Sequence, residues 1–94
     1  MVATNTNAND YGDLFDTISV CFSKGLGCPI GSMLISSKEL IKKAIRYRKV
    51  LGGGMRQVGC IAAAVNYAID NNISDLVYDH KKAKELEVVL KTLS

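Results

Sequence analysis

The first ten positions are Asn-rich and largely polar, and the first clear hydrophobic pattern begins at Thr17. Thr17-Ile18-Ser19-Val20-Cys21-Phe22 is rich in β-branched and aromatic residues and reads as a strand. Gly31-Ser32-Met33-Leu34-Ile35 reads as a second. Pro29 between them enforces a turn, because proline cannot donate to a sheet ladder. The short connection predicts antiparallel pairing. From Ser36 the apolar period changes. Ser36-Ser37-Lys38-Glu39 has the capping-box pattern, with Ser36 as N-cap and Glu39 at the third helical position. Leu40, Ile41, Ala44 and Ile45 follow at helical spacing and predict a helix to about Val50, stopped by Gly52-Gly53-Gly54. A second helix is predicted from roughly Met55 to Asp70. Its apolar stripe is Val58, Ile61, Ala62, Val65 and Ile69, and Gly59 with Ala62-Ala63-Ala64 permits close packing. Asn71-Asn72 ends it, since Asn tolerates a left-handed turn. Ser74 caps a third helix, with Leu76, Ala83, Leu86 and Leu90 on the buried face.

Two strands cannot cover three amphipathic helices, and their edges would lie bare. The pattern therefore predicts the later part of a larger α/β domain, carried on residues 11–94. Met1 to Asp10 is expected to be a loose polar leader. Ninety-four residues allow one domain at most, and a hydrophobic content of 48% argues against disorder. The longest apolar stretch, Val58 to Ile69, falls well short of the ~20 residues that a membrane span needs. The leader has no apolar core of a signal peptide, so a cytoplasmic location is expected.

Three cysteines show neither metal-ligand spacing nor an even-numbered disulfide framework. Cys21 in the strand and Cys60 in the apolar helix are expected in the core, with Cys28 in its loop the more exposed. The net charge of +3 is unevenly distributed. Lys38, Lys42, Lys43, Arg46, Arg48, Lys49 and Arg56 face only Glu39 between Ser36 and Gly59. The block reads as a solvated helix face. The competing reading is a nucleic-acid or anion-binding module, which its thin aromatic content (Tyr47 alone) disfavours.

The candidate chemistry centres on Ser23-Lys24-Gly25-Leu26-Gly27, directly behind the first strand. A lysine delivered to the end of a buried strand loses hydration, which favours a neutral amine able to attack a carbonyl. The glycines let the backbone turn tightly and approach a ligand. Such geometry suits a lysine that forms an imine with an aldehyde cofactor. A plain surface lysine at a strand-to-turn junction has the same local sequence. Arg56 follows three glycines at a predicted helix N-terminus, where backbone N–H groups and the dipole favour anions. Its guanidinium can grip phosphate or carboxylate as a bidentate fork. A helix-start surface arginine is the alternative.

From about Tyr11 onward the chain resembles the low-specificity L-threonine aldolases. Phe22-Ser23-Lys24-Gly25-Leu26-Gly27-Cys28-Pro29-Ile30-Gly31-Ser32 is similar to their cofactor-lysine segment, and Leu51-Gly52-Gly53-Gly54-Met55-Arg56-Gln57 to their second signature, at the family's separation. The resemblance implies a partial large domain of the aspartate-aminotransferase-like class (fold type I), with a mainly parallel central sheet. It implies pyridoxal 5'-phosphate as cofactor and an amino-acid substrate, with no nucleic acid and no membrane. The implied reaction is the cleavage of L-threonine or L-allo-threonine to glycine and acetaldehyde. Lys24 corresponds to the catalytic, cofactor-binding lysine. Arg56 matches an arginine near the cofactor phosphate contributed across a subunit interface. Lys49 matches a basic residue near the active-site entrance. Ser23 is placed to hydrogen-bond near the phosphate, although a capped strand end explains it as well. His80, the single histidine, reads as a structural helix residue. Family members are tetramers built from dimers with shared active sites. Their ring-stacking and base histidines, their pyridine-pairing aspartate and their small C-terminal domain have no match here. The 94-residue chain alone is therefore expected to keep Lys24 hydrated and to show no useful turnover.

Overall fold

The computed structural model describes residues 1–93. Strand β1 (Thr17–Cys21) pairs antiparallel with β2 (Ser32–Ser36), Thr17 opposite Ser36 and Cys21 opposite Ser32. Alternation holds along β1: Ile18 and Val20 are half-buried while Thr17, Ser19 and Cys21 face out. In β2, Met33, Leu34 and Ile35 are 42–45% exposed, so neither face of the strand is covered. An apolar run without alternation is the mark of a strand meant to be covered on both faces.

Among the described residues four α-helices accompany the pair, one more than the sequence pattern predicts. Helix α1 (Ala8–Gly12) is closed by a capping box between Asn7 and Asp10. A 3-10 turn over Val2–Thr4 precedes it and packs against the last helix. Within the first ten residues, Val2–Thr4 and Ala8–Asp10 are helical.

Helix α2 (Lys38–Val50) packs on β2 through half-buried Ile41 and Ala44. Its N-cap is Ser37, whose hydroxyl accepts from the Leu40 amide at 3.4 Å, not Ser36 with Glu39. Ser36 is still in the ladder opposite Thr17, and its hydroxyl donates to the Asp16 carbonyl at 2.5 Å. The helix ends in a Schellman motif. Gly53 donates to the Arg48 carbonyl at 2.8 Å and Gly52 to Lys49 at 3.2 Å, with Gly52 at φ +82°.

Helix α3 (Gly59–Asn71) starts four residues later than predicted, because Gln57 at φ +46° interrupts the helical path. Its inward line is Ile61, Ala64, Val65 and Ala68 rather than Val58, Ala62 and Ile69, since the loop after β1 lies along that side. Asn72 ends α3 in right-handed rather than left-handed geometry. Helix α4 (Leu76–Lys91) begins after Asp75 without a side-chain cap. The expected cap, Ser74, turns back to the Asn71 carbonyl at 3.4 Å. Leu76 is half-buried, but Ala83, Leu86 and Leu90 are exposed, so most of the predicted buried face has no partner among the described residues.

The core is small: Phe22, Cys28 and Ala68 are buried, with Val20, Leu26 and Val65 packed around them. The cysteines reverse the sequence expectation. Cys21 lies on the outward face of β1 and Cys60 in the first turn of α3, both exposed, whereas the Cys28 thiol is buried and donates to the Ala64 carbonyl at 3.6 Å. The radius of gyration is 16.9 Å, against about 12 Å for a compact chain of this length. Accessible surface is 8055 Å², roughly 2,700 Å² above the scaling for a compact monomer of this mass. No helix among the described residues is long and apolar enough to cross a membrane.

Candidate active site

The Lys24 turn is built on the core. Phe22, 3% exposed, anchors the end of β1. Its amide donates to the Gly31 carbonyl and its carbonyl accepts from Cys28, each at 3.0 Å, so residues 23–27 leave and return at one point. Within that excursion Gly27 donates to the Lys24 carbonyl at 2.8 Å, closing a four-residue turn. Gly27 has φ +74°, a conformation that a side chain disfavours. Gly25 answers a different need: a Cβ there would fall 2.7 Å from Leu76 Cδ2. The turn therefore rests on the junction between α3 and α4. The amide of Asn72 fixes it there, donating to the Leu26 carbonyl at 2.8 Å.

Lys24 and Ser23 are both exposed. The buried lysine suggested by the strand-end pattern is not present in this chain, because two strands leave that end of the sheet open. The hydrated amine expected of the chain alone is what the structure has. Among the described residues no ion pair engages Lys24.

The second glycine segment lies at the other end of α3. Lys49 folds over Gly54, where a Cβ would meet its Cδ at 2.7 Å and its Nζ at 3.2 Å. Arg56 is exposed in the bend before Val58, ahead of α3 instead of in its first turn as predicted. The loop from Lys24 back to β2 shows the spacing: Leu26 meets Asn72 at the C-terminal end of α3, while Gly31 comes near Ile61 at its N-terminal end. Thirteen residues of helix span about 20 Å at ~1.5 Å per residue. One copy of the chain thus brings Lys24 to Ser23, and Lys49 to Gly54, but does not bring Lys24 to Arg56.

Between the two ends runs an apolar groove of about 500 Å³, lined by residues that include Phe22, Ile30, Met33, Arg48, Met55 and Val65. Neither Lys24 nor Arg56 lines it. His80 sits exposed on α4 beside Val2, Val77 and Lys84, consistent with a helix-surface residue. Away from the site, hydrogen bonds from the Thr4 and Thr6 hydroxyls, with the nearby N-terminal ammonium, draw the Tyr11 phenol below its usual value. Among the described residues no cluster of His, Cys, Asp and Glu could hold a metal ion.

The donor sets fit two halves of a phosphorylated aldehyde. The Lys24 turn offers a primary amine, suited to the aldehyde end, with the Ser23 hydroxyl adjacent in sequence. The Gly52–Arg56 loop offers the Arg56 guanidinium, and Lys49 of α2, lying over Gly54, adds an ammonium, a pair suited to an anion. Sequence reasoning missed Asn72 and Leu76 as supports of the lysine turn. The Asn71-Asn72 pair drew attention only as a helix end, and a contact across 46 positions leaves no local signal.

All of residues 1–94 match the family model described as beta-eliminating lyase. The chain is 46% identical over 83 residues to the low specificity L-threonine aldolase of Escherichia coli K12, covering 88% of this chain and 25% of that protein. It is 52% identical over 71 residues to low-specificity L-threonine aldolase 1 of Arabidopsis thaliana, covering 76% and 20%. The Saccharomyces cerevisiae low specificity L-threonine aldolase is 47% identical over 77 residues, covering 81% and 20%. The chain spans a quarter or less of these relatives' length.

Proposed function

Because the chain belongs to the beta-eliminating lyase family, we propose that it is the lysine-bearing segment of a pyridoxal 5'-phosphate-dependent threonine aldolase. The substrate is L-threonine or L-allo-threonine, and the products are glycine and acetaldehyde. The observation that carries the reading is the Lys24 turn: an accessible amine on a short loop that Asn72, Leu76 and the Phe22 core hold in place.

In this reading Lys24 Nζ binds the cofactor aldehyde, and the Ser23 hydroxyl next to it donates to the phosphate. When bound, the cofactor supplies the sink for the electron pair left on Cα as the Cα–Cβ bond breaks. Arg56 grips an anionic group through its planar fork, and Lys49 adds a second cation beside it. With α3 between them, Lys24 and Arg56 serve different sites, so Arg56 completes the site of a second copy. That arrangement agrees with a homotetramer made of dimers and with a large domain of fold type I. A cytoplasmic location fits the same reading.

A single copy is expected to show no useful aldolase turnover, since its lysine is exposed and its arginine lies beyond the opposite end of α3, a helix about 20 Å long. The test is borohydride reduction of the purified protein with pyridoxal 5'-phosphate, followed by peptide mapping. A pyridoxyl label concentrated on Lys24 supports the assignment. Label spread over Lys38, Lys42 and Lys82 as well would overturn it, and acetaldehyde released from L-threonine by isolated single chains would overturn the need for a second copy.

A further inference from the structure

Two asparagines close α3, and they do different things. The Asn71 amide donates to the Tyr67 carbonyl at 2.8 Å, one turn back in its own helix. The Asn72 amide donates to the Leu26 carbonyl at 2.8 Å, across 46 positions of sequence. Asn is favoured at a helix end when the backbone turns left-handed. Asn72 is right-handed there, with φ −101° and ψ −13°, so the backbone itself does not ask for asparagine. What distinguishes Asn72 is its side-chain donor. It is half-buried, which limits the competition from water at this bond.

The acceptor is equally specific. Leu26 is the third residue of the Lys24-Gly25-Leu26-Gly27 turn, and a turn with two glycines has many other conformations open to it. Its own closure, Gly27 to the Lys24 carbonyl at 2.8 Å, sets the shape of the turn but not its place on the protein. Place comes from the flanking contacts. A Cβ on Gly27 would lie 3.5 Å from Asn72 Nδ2, and one on Gly25 would lie 2.7 Å from Leu76 Cδ2. The turn is thus seated between Asn72, the C-cap of α3, and Leu76, the first residue of α4.

We infer that Asn72 is a positioning residue for Lys24: its amide clamps Leu26 and so fixes where the lysine amine is presented. The inference rests on the reading of Lys24 as the residue that anchors the cofactor. Asn72 touches no reacting atom; it acts through the turn.

The experiment compares pyridoxyl labelling in the purified protein and in Asn72→Leu, which keeps similar bulk without a donor. The control is Asn71→Leu. The quantity read is the label on Lys24 relative to Lys38, after reduction with borohydride, at a circular-dichroism signal equal to that of the unaltered protein. Asn72→Leu is expected to lower this ratio about fivefold to tenfold, the order set by one lost side-chain hydrogen bond. Asn71→Leu is expected to leave it unchanged. If Asn72→Leu loses helical signal, Asn72→Ser, whose hydroxyl is too short to reach Leu26, decides on the same ratio. Asn72 variants that fold and keep the full Lys24 ratio, or an equal loss in Asn71→Leu, overturn the inference while the role of Lys24 stands. Unaltered protein without Lys24 preference overturns both.

Discussion

Two glycine-rich segments carry the candidate cations, Lys24 in residues 23–31 and Arg56 in residues 52–56, and they are held in opposite ways. The first is held by tertiary contacts: buried Phe22 and Cys28, the Asn72 amide, and Leu76 against Gly25. The second is held by its own neighbourhood, with Gly52 and Gly53 closing the Schellman motif of α2 and Lys49 lying over Gly54. A covalent anchor needs a fixed position, because a misplaced nucleophile loses most of its advantage. A cation proposed to complete the site of another copy would need to adapt as the two surfaces meet, and a locally closed exposed loop allows that.

The comparison breaks most sharply by complementation. Lys24→Ala and Arg56→Ala chains are each expected to lose cofactor binding in the assembled protein. Mixed and reassembled, they regain part of it, because one intact site can draw Lys24 from one chain and Arg56 from the other. Absorbance titration with pyridoxal 5'-phosphate checks this. No recovery on mixing would place both residues in one copy's site.

Phe22→Ala comes next. It empties the largest side chain of a three-residue core and is expected to cost about 3–5 kcal/mol, measured by denaturant unfolding. Amide hydrogen exchange should then rise in residues 23–28 and stay unchanged in residues 52–56. Equal rises in both would mean that the second segment also leans on the core.

The paired glycines sharpen the contrast at smaller scale. Gly27 and Gly52 have similar positive φ, +74° and +82°. Alanine at either is expected to cost about 1–2 kcal/mol through left-handed strain. Only Gly27→Ala should lower the Lys24 label, because only that glycine belongs to the tethered turn. Ser37→Ala is the smallest effect, about 0.5–1 kcal/mol from a lost N-cap. Ser36→Ala should not reproduce its loss of α2 helicity, and an equal loss would restore Ser36 as the cap.

The local elements were legible in the sequence. β1, the antiparallel partner β2 and the end of α2 at Val50 follow from side-chain period, proline and glycine, all of which act within a few residues. The lysine turn and the glycine loop were legible as turns for the same reason. Burial was not. The pattern put Cys21 and Cys60 inside and Cys28 outside, and the structure has the reverse, because burial depends on which element arrives from far along the chain. The late start of α3 at Gly59 depended on a single positive φ at Gln57, which composition does not mark. Sequence by itself determined the local elements and the two glycine-rich segments that carry Lys24 and Arg56. Only the tertiary structure decided that α3 holds them at opposite ends, since a helix of fixed rise is a rigid spacer, and that Asn72 reaches across to hold one of them.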